Sequence, residues 1–165
     1  MSTPSAICYA RAYHHPLIGA LTLFSDGAAL IAVCYGHAHI TYRAPPPVLH
    51  QAARELEEYL DGQRRSFSVP LCFAAGTPFQ RRVWQALCSL AYGELCSYAE
   101  LAERAGLPRT HARAVARACA ANPIAILIPC HRIIAAGQQL GGYNGGIARK
   151  RALLTLEGHE WAKDA

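Results

Sequence analysis

Two prolines, Pro123 and Pro129, bracket the run Ile124-Ala125-Ile126-Leu127-Ile128, and the chain beyond the second proline reads Cys130-His131-Arg132. Every residue of this run is apolar. It is far short of the roughly 18 residues that a membrane-spanning helix needs, and Pro129 interrupts it just ahead of charge. The run therefore predicts a short buried strand. A thiol at the end of such a strand, fixed by a proline and followed by an imidazole and a guanidinium, is expected to have a depressed pKa. The thiolate is its reactive form.

Around this block the chain divides in two. Leu17 to Phe24 and Ala28 to Tyr35 are apolar and β-branched on either side of Ser25-Asp26-Gly27, which predicts a hairpin, with Ile7 to Tyr13 as a third strand. Pro45-Pro46-Pro47 stops the sheet and starts a helix over Val48 to Leu60, with Leu49, Ala52, Ala53, Leu56 and Leu60 on one stripe. Ser66 to Phe73 alternates as a further strand. Residues 1–76 thus predict a small α/β scaffold domain, and residues 77–165 a second, mainly helical one.

In the second segment Thr77-Pro78 reads as N-cap and first helical residue, with a stripe of Phe79, Val83, Trp84 and Leu87 behind it. Ser97 caps a helix over Tyr98 to Ala105, Gly106 ends it, and Thr110 caps a third helix over His111 to Ala121. Two short helices joined by such a turn form a helix-turn-helix pattern. The third helix carries Arg113 and Arg117 on one face and leaves Val115, Ala118 and Cys119 for the core; the rest is nearly all alanine. Two readings stay open for it: a good helix former with two solvated arginines, or a helix thin enough to enter a DNA groove, including a minor groove only about 6 Å wide.

Charge separates the halves as well. Residues 1–76 hold five arginines and five acids, whereas residues 77–165 hold eleven bases and six acids, so the net charge of +5 lies entirely in the second segment. That segment is the candidate polyanion binder. The seven cysteines form no CxxC pair, and the start MSTPSAICYARAYHHP lacks the basic-then-apolar order of a signal peptide. A cytoplasmic protein in a reducing compartment, with most cysteines buried, is expected. Cys34, His37 and His39 lack paired metal-ligand spacing, and strand alternation explains them equally well.

The block from Asn122-Pro123 through Ile126-Leu127-Ile128-Pro129-Cys130-His131-Arg132-Ile133 to Gly142-Tyr143-Asn144-Gly145-Gly146 resembles the active-site signature of the methylated-DNA–protein-cysteine methyltransferases, the O6-alkylguanine-DNA alkyltransferases. The resemblance runs on through Ser97-Tyr98, Ala112-Arg113-Ala114-Val115 and Leu153-Leu154 to Glu157-Gly158-His159, and so covers most of residues 77–159. It implies an α+β fold: a ribonuclease H-like α/β domain, then a winged-helix-like domain with a helix-turn-helix.

The resemblance also implies a function. The family reverses O6-alkylguanine lesions, and O4-alkylthymine with them, by irreversible transfer of the alkyl group to a cysteine after base flipping. Cys130 matches that cysteine. His131 matches the histidine that takes the thiol proton through a water, Glu157 the carboxylate that orients it, and Tyr98 the tyrosine that donates toward the leaving guanine. Arg113 matches the arginine that fills the space of the flipped base, with Ala112, Ala114 and Arg117 beside it on the DNA-facing helix. Asn122 matches the hinge asparagine, and Ile133, Tyr143 and Asn144 fall where guanine is held. No metal or organic cofactor is implied. The partner is double-stranded DNA bound through its minor groove, by a protein monomeric in solution with room for cooperativity on DNA and no membrane association.

Two positions depart from the family pattern: Ile133 stands where valine is usual, and Asn144 where a serine or other small residue is common. The latter bears on pocket width and alkyl-size preference. The competing reading, a non-enzymatic alkyl-lesion-binding protein, fits poorly because such relatives carry tryptophan in place of the cysteine.

Overall fold

The computed structural model describes residues 8–38, 43–73 and 75–160. It divides into two compact units, Met1–Ala74 and Ala75–Ala165. The architecture is α+β, with sheet and helix in the first unit and mainly helix in the second.

In the first unit β1 (Tyr9–His15), β2 (Gly19–Ser25) and β3 (Leu30–Tyr35) form an antiparallel sheet in the order β1-β2-β3. Register runs from Tyr9 opposite Ser25 to His15 opposite Gly19, and Leu21 faces Tyr35. The expected hairpin turn forms because Asp26 Oδ1 accepts from the amides of Ala28 and Ala29, both at 2.8 Å, while Gly27 takes φ +103°. Helix α1 (Pro47–Leu60) packs on β1 and β2 through the expected stripe of Leu49, Ala52, Ala53, Leu56 and Leu60.

The strand expected over Ser66 to Phe73 does not form. Leu71 alone makes a parallel bridge to Leu30, because Pro70 has no amide to give and the Ser68 and Val69 amides are taken by a side chain. Glu55, 1% exposed, reaches from α1 and accepts from Ser68 N at 2.9 Å, Val69 N at 3.1 Å and Ser68 Oγ at 2.6 Å. Alternation in the sequence reflected a loop pinned to a buried carboxylate.

In the second unit α2 (Pro78–Cys88), α3 (Tyr98–Arg104) and α4 (Ala112–Ala120) pack on one another. Thr77 and Ser97 cap α2 and α3 as expected, and both close into capping boxes with Gln80 and Glu100. Thr110 does not cap the third helix. A 3₁₀ turn over Arg109–His111 comes first, with His111 N donating to Pro108 O at 2.9 Å, and α4 starts at Ala112 without a side-chain cap. Cys96–Ser97 (β4) and Ile133–Ile134 (β5) pair in parallel. Helix α5 (Ile147–Leu156) was not anticipated: its buried residues Lys150, Leu153 and Leu154 include a cation and form no apolar stripe.

The apolar run between the two prolines is buried but is not a strand. It folds into tight turns, with Leu127 N bonding Ala125 O at 2.9 Å and Ile128 N bonding Ile124 O at 3.1 Å. Ile126 sits at φ +72°, a strained conformation for a β-branched residue. Asn122 explains the compaction by holding both ends: its Oδ1 accepts from Ile124 N at 3.0 Å and its Nδ2 donates to Ile128 O at 2.8 Å.

The cysteines also depart from expectation. Only Cys96 and Cys119 are buried, while Cys8, Cys34 and Cys88 are exposed. Cys34 lies on β3 and His37 is exposed beyond it; His39 lies outside the described residues. Among the described residues no helix is long and apolar enough to cross a membrane.

Candidate active site

Cys130 opens a 3₁₀ turn, Cys130–Arg132, directly after the pinned run. The extended geometry expected at this thiol is therefore replaced by a tight turn, anchored by Cys130 N bonding Ile128 O at 2.8 Å. Asn122 Nδ2 also donates to Cys130 Sγ at 3.2 Å. One asparagine thus shapes the turn and touches the thiol. Cys130 lines a cavity of about 210 Å³ together with Tyr98, Ala116, Cys119, Ala120, Gly142, Tyr143 and Asn144.

The expected depression of the Cys130 pKa is not found. Burial pushes the thiol up, and although the Asn122 hydrogen bond and the charge of Lys150 pull it down, burial prevails. Cys130 at rest is a thiol, and acting as a nucleophile requires it to lose that proton. Tyr98, half-buried at the start of α3, is also pushed up, by burial and then by Cys119 and Cys130. Its hydroxyl keeps a proton to donate.

Behind the turn lies a buried charged cluster. Glu157 ends α5, and its Oε1 accepts from His131 Nε2 at 3.0 Å and Arg132 Nη2 at 2.8 Å; its Oε2 accepts from Arg132 Nε at 2.9 Å and Gly93 N at 3.0 Å. Arg132 Nη1 donates to Leu90 O at 2.8 Å. Because the carboxylate is an acceptor, it fixes the His131 proton on Nε2 and leaves Nδ1 as the basic nitrogen. Burial lowers the His131 pKa, and the opposing hydrogen bond it donates to Glu157 does not restore it, with Arg132 and Lys150 lowering it further. The imidazole is neutral and able to accept a proton.

Two members of this site were not identified from sequence. In the sequence Arg132 stands only as a flank of the thiol, yet in the structure it neutralises Glu157. Lys150, fully buried, donates from Nζ to Ile133 O at 2.5 Å and Gly142 O at 3.3 Å, and burial lowers its pKa to about 8. It also sets a positive charge toward Cys130 and Cys119. One signal was available: Lys150 is one of just two lysines in a chain otherwise supplied with arginine.

The remaining residues fall into two places. Tyr98, Tyr143 and Asn144 share the cavity with Cys130, and Ile133 is buried with its carbonyl held by Lys150. Arg113, Ala114 and Arg117 are exposed on α4 and line an open depression with Thr110 and His111; Ala112 is half-buried beside them. Val115, Ala118 and Cys119 face the core. The arginines do not enter the Cys130 cavity.

A thiol, a neutral imidazole and a buried carboxylate in the same unit as a helix-turn-helix define, by class, a thiol-dependent protein that acts on DNA. Residues 78–159 match the family model described as 6-O-methylguanine DNA methyltransferase, DNA binding domain, and residues 8–73 match the ribonuclease-like domain of the same family. The methylated-DNA–protein-cysteine methyltransferase of Mycobacterium leprae is 42% identical over 148 residues, covering 87% of this chain and 88% of that protein. The Mycobacterium tuberculosis H37Rv protein of the same name is 44% identical over 145 residues, covering 85% and 87%. The crystal structure of M. tuberculosis OGT in complex with DNA superposes with a TM-score of 0.81 at 44% identity, covering 90% of this chain and 92% of that one. The chain belongs to the methylated-DNA–protein-cysteine methyltransferase family.

Proposed function

We propose that this protein repairs O6-alkylguanine in duplex DNA by moving the alkyl group to Cys130 Sγ. The observation that carries the reading is the pairing of a protonated thiol lining a nucleobase-sized cavity with a neutral imidazole held in one tautomer by Glu157.

The steps follow from these groups. The O6 substituent is stacked inside the duplex, so the nucleotide must rotate into the cavity, at an unstacking cost of a few kcal/mol. Arg113, exposed on a helix of small residues, fills the vacated space from the minor groove, and Arg117 lies against phosphate. With guanine in place, the thiol proton passes through a water to His131 Nδ1, and Glu157 stabilises the imidazolium that results. Lys150 and the Asn122 amide stabilise the thiolate. Sγ then attacks the alkyl carbon, the carbon–O6 bond breaks, and its electron pair leaves with guanine as Tyr98 supplies a proton.

The product thioether has no good leaving group, so each molecule repairs one lesion. O4-alkylthymine presents an equivalent alkyl–oxygen bond and is the second substrate. The test is incubation with a duplex carrying one O6-methylguanine, followed by proteolysis and mass spectrometry. The added methyl is expected on the Cys130 peptide and absent in Cys130→Ala; a methyl retained in that variant would overturn the assignment.

A further inference from the structure

Two of the seven cysteines, Cys119 and Cys130, line the same cavity. Cys130 is the nucleophile of the proposed reaction, whereas Cys119 takes no part in it. Cys119 is buried in the last turn of α4 and belongs to the wall of the cavity all the same.

The chain between the two thiols is folded back on itself, and Asn122 holds both of its ends. The Asn122 backbone N–H donates to Cys119 O at 3.2 Å, and its Nδ2 donates to Cys130 Sγ at 3.2 Å. One asparagine thus touches the backbone of one cysteine and the sulfur of the other. The electrostatics fit the same arrangement. Burial pushes both thiols up, Cys119 to about 12, and the charge of Lys150 pulls each of them back down. A disulfide demands narrow geometry, with Cα atoms within about 7 Å. Cys119 sits one residue from the end of its helix, where local opening costs least, so the backbone there can adjust to meet that demand.

We propose that Cys119 and Cys130 are a redox pair: hydrogen peroxide oxidises Cys130, and Cys119 closes a disulfide with it that stores the nucleophile in a recoverable form. Cys130 is the more exposed of the two and reacts first. Its sulfur attacks a peroxide oxygen, the O–O bond breaks, and one water leaves as Cys130 becomes a sulfenic acid. The Cys119 sulfur then attacks the Cys130 sulfur, the S–O bond breaks, and the hydroxyl leaves as a second water with the Cys119 proton. Two thiols give up two electrons in all, and one peroxide becomes two waters. Without Cys119 the sulfenic acid goes on to sulfinic and sulfonic acids, from which an ordinary reductant does not recover the thiol.

The disulfide itself is independent of the proposed alkyl transfer; its consequence for repair rests on that reading. Trypsin cuts after Arg117 and Arg132, so both cysteines fall on one peptide, Ala118–Arg132. Reduced wild type and Cys119→Ser are treated with excess hydrogen peroxide, their remaining thiols are blocked, and this peptide is weighed without reduction. In parallel, methyl uptake from an O6-methylguanine duplex is measured before peroxide, after it, and after a phosphine reductant. The wild-type peptide is expected to be lighter by two hydrogens, and the reductant to restore most of the methyl uptake. In Cys119→Ser the peptide gains oxygen, and the restored uptake, as a fraction of that variant's own starting value, is severalfold lower. A wild-type peptide that gains oxygen in place of losing two hydrogens overturns the proposal, and so does equal recovery in the two proteins. The wild-type mass decides even where Cys119→Ser folds poorly. A wild type that forms the disulfide but takes up no methyl before peroxide leaves the pair standing and overturns the proposed function.

Discussion

Glu55 and Glu157 are both carboxylates buried in their own units, yet they are solvated in opposite ways. Glu55 takes its hydrogen bonds from neutral donors, Ser68, Gln51 and the amides of Ser68 and Val69, with the Arg64 guanidinium further off at 3.9 Å. Burial pulls its pKa up, those hydrogen bonds outweigh it, and the net shift is downward. Glu157 is met by a guanidinium, an imidazole and one amide. The first arrangement holds a loop to a helix; the second holds a base in one tautomer next to a thiol. Burial of an acid is thus not a sign of function by itself. What distinguishes Glu157 is that one of its donors can titrate and lies next in sequence to a nucleophile.

The largest expected effect removes the nucleophile. Cys130→Ser abolishes alkyl uptake in a mass assay while the thermal unfolding midpoint stays close to wild type, because Cys130 makes few contacts that serine lacks. Glu157→Gln comes next. It leaves Arg132 uncompensated and His131 without its anionic partner, and single-turnover alkyl transfer is expected to fall about 10²- to 10³-fold, within the range for general-base assistance. Stability falls too, by about 3–5 kcal/mol as for a broken buried ion pair. Glu55→Ala breaks the parallel: denaturant titration should show a loss of about 3 kcal/mol from the orphaned amides, while the transfer rate per folded molecule does not change.

Acid separates the two carboxylates by a different route. A depressed carboxyl pKa contributes stability above its unfolded value, and that contribution disappears as pH falls through the folded value. Unfolding in acid should therefore be less steep in Glu55→Gln than in the wild type, as followed by circular dichroism. His131 governs activity instead. Its pKa is lowered from the ordinary 6.5, so the neutral base persists on acidification, and transfer rates should hold through pH 6.5 and decline only below it. A decline centred above 6.5 would show that His131 is not the group that takes the proton.

The smallest effects belong to the exposed arginines of α4. Arg113→Ala should slow repair of duplex DNA on the order of tenfold more than reaction with free O6-methylguanine, since only the duplex requires a base to be displaced. Arg117→Ala should reduce the salt dependence of DNA binding by about one phosphate contact. Equal losses on duplex and free base would remove Arg113 from its assigned place.

Much of the fold was legible because local signals agreed with each other. The Asp26-Gly27 turn, the α1 stripe and the Thr77 and Ser97 caps each follow from short-range chemistry. Signals failed where a single side chain overrode the pattern. Glu55 claimed the amides that a strand over Ser66 to Phe73 would have used, and Asn122 folded Ile124 to Ile128 into turns despite its β-branched composition. The Pro129-Cys130-His131-Arg132 motif marks where the candidate site lies, but not its electrostatics. Adjacency to His131 and Arg132 suggested a depressed thiol pKa, whereas Arg132 spends its charge on Glu157 and burial dominates Cys130. Lys150 was missed because α5 has no apolar stripe to announce a helix, and a lysine in it reads as solvated.

The most direct test of the account counts turnovers. The protein is mixed with a severalfold excess of duplex containing O6-methylguanine, and restored guanine and methylated protein are quantified together over time. The account predicts one guanine restored per protein molecule, matched by one methyl on Cys130, with no further repair after the protein is consumed. Continued repair beyond that point, or repair without methyl on Cys130, would contradict it.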